Sequence, residues 1–81
     1  MFTLHVAPAA VIVGDRVCYY NTAGGLSGAS RVTRTADKRG NLSTERGEYV
    51  SFGEDVEIAF DTREERDARA VVIGHLTAAA T

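Results

Sequence analysis

The chain has 81 residues, with a hydrophobic fraction of 44% and a charged fraction of 25%. This balance is typical of one small globular domain and excludes a disordered tail. The single cysteine, Cys18, excludes an internal disulfide, and the net charge of −2 argues against a protein whose affinity comes mainly from phosphate contacts. A core this small, without a covalent staple, often gains stability from a partner or from self-association.

The first predicted element is a strand over residues 2–7, because apolar and polar residues alternate along it with a period of two. Its apolar residues are Phe2, Leu4 and Val6. Pro8 follows and cannot donate to a strand ladder, which indicates that the strand ends there and lies at an edge. We therefore interpret residues 1–10 as an additional edge strand.

Five further strands are predicted from short apolar or alternating runs, over residues 16–20, 31–36, 42–44, 48–52 and 55–60. The last of these is the clearest, since Val56, Ile58 and Phe60 alternate with Glu57. Residues 21–30 contain three glycines and are predicted to form a mobile loop with the apolar Leu26 at its tip.

The C-terminal segment is open to two interpretations. Thr62 and Glu65 have the spacing of a capping box, which marks a helix start. Residues 70–73 are Ala-Val-Val-Ile and are followed by Gly74, a composition unfavourable in a helix interior. We favour a short helical turn near residues 62–67, a strand over residues 69–76 and a tail over residues 77–81. A single helix over residues 62–78 is the alternative.

These elements together resemble a small SH3-like barrel: five to six short antiparallel strands, an additional N-terminal strand and a helical turn. The pentapeptide Val-Gly-Asp-Arg-Val at residues 13–17 resembles the opening strand of such barrels, including the KOW type. The resemblance covers residues 11–76 and implies a mainly β fold, with residues 1–81 forming one domain. The mixture of Ala, Arg, Asp and Gly in a short chain also resembles the small accessory proteins of phages from high-GC hosts.

No set of residues predicts catalysis, a metal or a cofactor. Cys18, His5 and His75 lack the spacing of zinc ligands, and no adjacent partner activates the thiol. The acidic residues of 61–67 are interleaved with arginines, as is typical of a solvated and ion-paired turn. The glycines of residues 24–28 are not followed by the helix or the Lys-Ser/Thr pair that a phosphate loop needs. We therefore expect a non-enzymatic protein.

The edge strand and the glycine-rich loop favour a binding or self-assembling module that acts by strand addition, as a homo-oligomer or with a protein partner. One setting is a phage structural or decoration protein, and the alternative is a small inhibitor of a host enzyme or defence complex. The predicted partner-binding residues are Phe2, Leu4, Val6, Tyr20, Leu26, Arg34, Lys38 and Arg39.

A second alternative is a nucleic-acid-binding barrel. The basic residues Arg34, Lys38 and Arg39, with nearby tyrosines, are suited to phosphates and bases. Arg31 and Arg34 fall on opposite faces of a regular strand, however, which weighs against this alternative.

Charge is distributed unevenly, with +3 over residues 1–40 and −5 over residues 41–81. Such a dipolar surface can align identical subunits or steer a charged partner, although ordinary solvated faces also explain it. The N-terminus has no basic leader, and its apolar stretch is too short to span a bilayer. We expect no signal peptide and no membrane partner, and a location in the virion or the host cytoplasm.

Overall fold

The computed structural model describes residues 1–80, with side chains described for residues 1–75. The strands are β1 (Phe2–Val6), β2 (Arg16–Tyr20), β3 (Leu26–Arg34), β4 (Leu42–Thr44), β5 (Gly47–Tyr49) and β6 (Val56–Phe60). A single 3₁₀ turn follows β1 at Pro8–Ala10, and one helix, α1 (Arg63–Ala80), follows β6. The prediction of a mainly β fold is confirmed.

The six strands form one antiparallel sheet in the order β1-β6-β2-β3-β4-β5. The central position of β6 follows from its pairing on both sides, since Ile58 lies opposite Leu4 of β1 and opposite Val17 of β2. β1 and β5 form the two edges, so the N-terminal strand is an edge strand as predicted. The sheet is open, and its closure into an SH3-like barrel is not shown.

One face of the sheet, called here the inner face, carries the core. The alternation seen in the sequence places every second apolar residue on this face. The buried core residues are Val6, Val11, Val17, Val32, Leu42, Val56 and Ile58. Tyr19 and Tyr49 also lie on the inner face and meet edge to face, with ring centroids 5.2 Å apart. The Tyr19 hydroxyl is 2.7 Å from Thr44 Oγ1, so these tyrosines belong to the packing of the domain.

The strand predicted over residues 69–76 is wrong, because this segment is the middle of α1. The predicted helix start is confirmed: Thr62 Oγ1 accepts the Glu65 N–H at 3.1 Å. Residues 77–80, predicted as a tail, continue the helix, and Thr81 lies outside the described residues. The alternative of one long helix therefore describes this part of the chain.

Tertiary contacts explain why the β-branched run is helical. Arg69 donates to both carboxylate oxygens of Asp15, at 2.8 and 2.6 Å, and to the carbonyl oxygen of Ala10 at 3.1 Å. Ile73, one helical turn further on, packs against the core. These contacts stabilise the helix by more than the weak propensity of its valines disfavours it. No described helix is both long and apolar enough to cross a membrane.

The connection after β2 is shorter than predicted. Residues 21–25 form the turn, and β3 begins at Leu26, which lies opposite Tyr20. The Asn21 side-chain oxygen accepts two backbone N–H bonds inside the turn, at 3.0 and 2.9 Å. Leu26 therefore lies in a strand rather than at the tip of a loop.

Candidate protein-interaction surface

The alternation of hydrogen-bonded and non-hydrogen-bonded residue pairs across the sheet shows which backbone groups of β1 face outward. Antiparallel strands exchange bonds only at alternate residue pairs. The Val32 N–H donates to the Asp15 carbonyl at 2.7 Å, which marks this pair as hydrogen-bonded. The next pair, Arg16 and Arg31, is therefore not hydrogen-bonded across β2 and β3. In agreement, the Arg31 carbonyl accepts the Glu45 N–H on the opposite side at 2.9 Å.

The registers of β2, β6 and β1 allow the same alternation to be followed to the edge of the sheet. The backbone groups of Ala59 face β2, and those of its neighbour Ile58 face Leu4 of β1. The N–H and C=O groups of Thr3 and His5 must then point away from β6. No strand of residues 1–80 pairs with that side of β1. β1 thus presents an unpaired row of backbone donors and acceptors.

The two edges of the sheet differ in how they resist pairing with another strand. β5 has three residues, contains Glu48 and follows directly after Glu45 and Arg46. Short length and charged residues are the usual protection of an edge. β1 has five residues and contains no Lys, Arg, Asp or Glu. The β1 edge is therefore the one suited to strand addition.

The predicted contact side chains of β1 point to the inner face. Val6 is buried, and Leu4 packs against the core. The Phe2 ring is half-buried, with the guanidinium carbons of Arg63 and Arg66 each 5.7 Å from its centroid. These side chains hold β1 in place, so it is the backbone of β1 that is free to contact a partner.

A polar cluster on the outer face ties β1 to the two strands beside it. The Tyr20 hydroxyl and Thr3 Oγ1 both donate to the Glu57 carboxylate, and His5 Nε2 lies 3.3 Å from it. These contacts, the Tyr20 bond above all, hold the pKa of Glu57 below its ordinary 4.5 although partial burial opposes the shift. The same bond raises the pKa of Tyr20 to about 12. Tyr20 is thus engaged within the domain.

Cys18 lies on the same outer face as Glu57 and is only 1% exposed. Burial, followed by the charge of Glu57, raises the pKa of its thiol to about 11. The thiol is therefore protonated at neutral pH, and a protonated thiol is not a nucleophile. Among residues 1–75, no three histidine, cysteine or acidic side chains are placed to hold a metal ion.

The structure separates the predicted site residues into two groups. A β-bulge between Val32 and Arg34 sets Arg34 opposite Ser43, which places Arg34 on the outer face. The expectation that Arg31 and Arg34 lie on opposite faces is therefore wrong. Arg34 ends β3, and the turn after it carries Lys38 and Arg39. These three residues lie at the end of β3 and in the turn between β3 and β4, and Gly40 of that turn lies close to Pro8, which follows β1.

Two open pockets, of about 310 and 220 Å³, flank Arg16 and Arg31 on the outer face. These arginines form a cross-strand pair without backbone bonds, the arrangement that brings side chains closest. Arg16 is paired with Asp61 at 2.8 Å, and Arg31 lies 3.6 Å from Glu45. Because each guanidinium already has a carboxylate partner, the pockets are not sites of uncompensated positive charge.

Sequence reasoning missed Phe52, which it placed at the end of a strand. In the structure Phe52 lies in the turn between β5 and β6 and is 87% exposed. Gly53 directly after it was the available signal, because a residue before glycine between two strands often belongs to a tight turn. Comparisons with protein-family models, curated proteins and solved structures found no match.

Proposed function

We propose that this protein is a non-enzymatic binding and assembly module that adds an extended strand at β1. The observation that carries the proposal is the unpaired row of backbone groups at Thr3 and His5, on an edge strand without charged residues. A second copy of the chain is the partner that this edge fits best. Two identical edges without Lys, Arg, Asp or Glu meet without strong charge repulsion.

The proposed pairing is antiparallel, about a two-fold axis at Leu4. Thr3 of each copy then lies opposite His5 of the other, so every outward N–H and C=O has a partner. Phe2 lies opposite Val6 in the same register. The apolar inner faces of the two sheets become continuous, as an isologous interface requires.

An assembling protein of this kind suits a virion component that decorates or connects capsid or tail subunits. If the protein is instead a monomer that pairs its β1 edge with a strand of another protein, the alternative function is favoured. That alternative is an inhibitor of a host enzyme or defence complex. The SH3-like barrel remains part of the proposal, since six short antiparallel strands are the elements from which such a barrel is built. The oligomeric state separates the two settings.

The test is absolute molar mass by light scattering for the wild type, His5→Pro and His5→Ala. Proline removes the outward N–H of His5 and leaves the bonds between β1 and β6 intact, as is tolerated on an edge strand. The alanine variant loses the same side chain and keeps the N–H. We expect a wild-type mass of twice 8.7 kDa, a monomeric His5→Pro and a dimeric His5→Ala. A monomeric wild type, or an undiminished mass for His5→Pro, contradicts self-pairing at β1.

A further inference from the structure

Phe52 occupies a backbone conformation that does not suit it. Its φ is +54° and that of Gly53 is +77°, and the Glu54 N–H donates to the Ser51 carbonyl at 3.0 Å. Two successive positive φ angles closed by this bond define a type I′ turn, whose first central position favours Asn, Asp or Gly. A bulky aromatic residue is strained there. At 87% exposure, Phe52 does not recover this strain by packing in the domain.

The turn that carries Phe52 is stabilised by the buried Ser51 and packs against a neighbouring turn. Ser51 is buried, and its hydroxyl accepts the Gly53 N–H at 3.3 Å. A Cβ added at Gly40 would lie only 2.8 Å from that hydroxyl oxygen. The turn at residues 37–41 therefore lies directly against the turn of Phe52.

Three cations gather on this surface. Lys38 and Arg39 are exposed on the turn at residues 37–41, and the bulge in β3 places exposed Arg34 just before it. The Asp37 carboxylate accepts the backbone N–H groups of Asn41 and Arg39, which are the main reason for its lowered pKa. The positive charges of Arg34 and Arg39 lower the pKa of Asp37 further. Asp37 is used within its own turn.

We propose that Phe52, Arg34, Lys38 and Arg39 form a binding site for single-stranded nucleic acid. Phe52 stacks on a base, and the three cations contact the neighbouring phosphates. The turn that lies against Ser51, the neighbour of Phe52, carries the exposed cations Lys38 and Arg39, which favours this ligand over the apolar pocket of a protein. Exposed Glu54 and Asp55 follow Phe52 in sequence, so the phosphates run along the other side, over residues 37–41. The site goes beyond the proposed function and does not involve β1.

The test is fluorescence anisotropy with labelled oligothymidylate and oligouridylate. For three phosphate contacts we expect the wild-type affinity to fall about 100-fold when salt rises tenfold from about 20 mM. Phe52→Asn should weaken binding at low salt by roughly fivefold or more, since stacking on one base is lost. Asparagine suits the turn, so we expect this variant to unfold at a higher temperature than the wild type, which separates lost binding from lost folding.

The matched control is Arg63→Glu, which removes an exposed cation on α1 and should leave the affinity unchanged. The double variant Lys38→Glu, Arg39→Glu should abolish binding. His5→Pro should bind as the wild type does, so that failure of the β1 proposal leaves this one standing. No anisotropy change at low salt, or equal affinity of Phe52→Asn and the wild type, overturns the proposal and leaves Phe52 as a contact for a protein.

Discussion

Replacing Arg69 by methionine is expected to remove a large share of the stability of the domain. The Arg69 and Asp15 side chains are only 15% and 11% exposed, and two nitrogen–oxygen distances of 2.6 and 2.8 Å make the pair bidentate. Methionine keeps an apolar stem but removes both guanidinium donors of the Asp15 carboxylate. Within residues 1–75 this carboxylate then keeps the Ile12 N–H at 2.9 Å, and the Ala10 carbonyl loses the Arg69 donor. Removing one partner of a buried pair destabilises by about 3–5 kcal/mol.

A domain of this size has a free energy of unfolding of roughly 4–12 kcal/mol, so the Arg69 variant should be close to unfolded at the lower limit. Urea denaturation followed by far-ultraviolet circular dichroism measures the loss. Arg66→Met is the matched control, because Arg66 contacts its exposed neighbour Asp67 at 3.2 Å and lies 5.7 Å from the centroid of the Phe2 ring. Each of these contacts is worth at most about 1 kcal/mol, so this variant should lose clearly less stability than Arg69→Met. Equal losses for the two variants would refute the reasoning that Arg69 attaches α1 to the sheet.

Three further predictions concern other contacts. Because the pKa of Glu57 is lowered in the folded protein, its ionised carboxylate stabilises the fold fully above about pH 4.5. This stabilisation is lost as pH falls and the carboxylate is protonated. Tyr20→Phe should therefore move the midpoint of acid unfolding to higher pH, and an unchanged midpoint contradicts the role of that bond. Cys18, with a thiol pKa of about 11, should react with a thiol reagent only after denaturation, and rapid labelling of the native protein would show that it is accessible. Gly40→Ala should destabilise the domain by about 1–2 kcal/mol, because φ at Gly40 is +81° and the added Cβ would lie 2.8 Å from Ser51 Oγ. Gly74→Ala, where the added Cβ meets no side chain of residues 1–72 within 4 Å, should instead stabilise α1 by roughly 0.5–1 kcal/mol. Thermal unfolding measures both changes.

The strands were predictable where one face is apolar. Val56, Ile58 and Phe60 alternate as the inner face requires, and the period of two is the pattern that a half-buried strand needs. The edge position of β1 followed from Pro8, which cannot donate to a ladder. Local patterning and local chemistry were sufficient for these elements.

The start of the helix was predictable from the capping box, but its continuation past residue 67 was not, because the residues that stabilise it are distant in sequence. Val71 and Val72 have weak helix propensity, and it is Arg69 contacting Asp15, across 54 positions, that holds the segment against the sheet. The prediction followed propensity and placed a strand there.

The surface was predicted less well than the core, for a related reason. The bulge that turns Arg34 to the outer face depends on its pairing with β4, which the sequence of β3 alone does not encode. Phe52 was assigned to a strand because aromatic residues favour strands, and its positive φ breaks that rule. Both departures lie in the proposed nucleic-acid site, where strain and irregular pairing are expected to concentrate.

The most direct test of the account is the molar mass of the wild type beside that of His5→Pro, at low and high salt. Pairing through the backbone groups of an edge without Lys, Arg, Asp or Glu predicts a salt-insensitive dimer of twice 8.7 kDa. This dimer should become a folded monomer when the outward N–H of His5 is removed. A wild type that is monomeric at every concentration, or a His5→Pro variant that remains dimeric, contradicts assembly through β1.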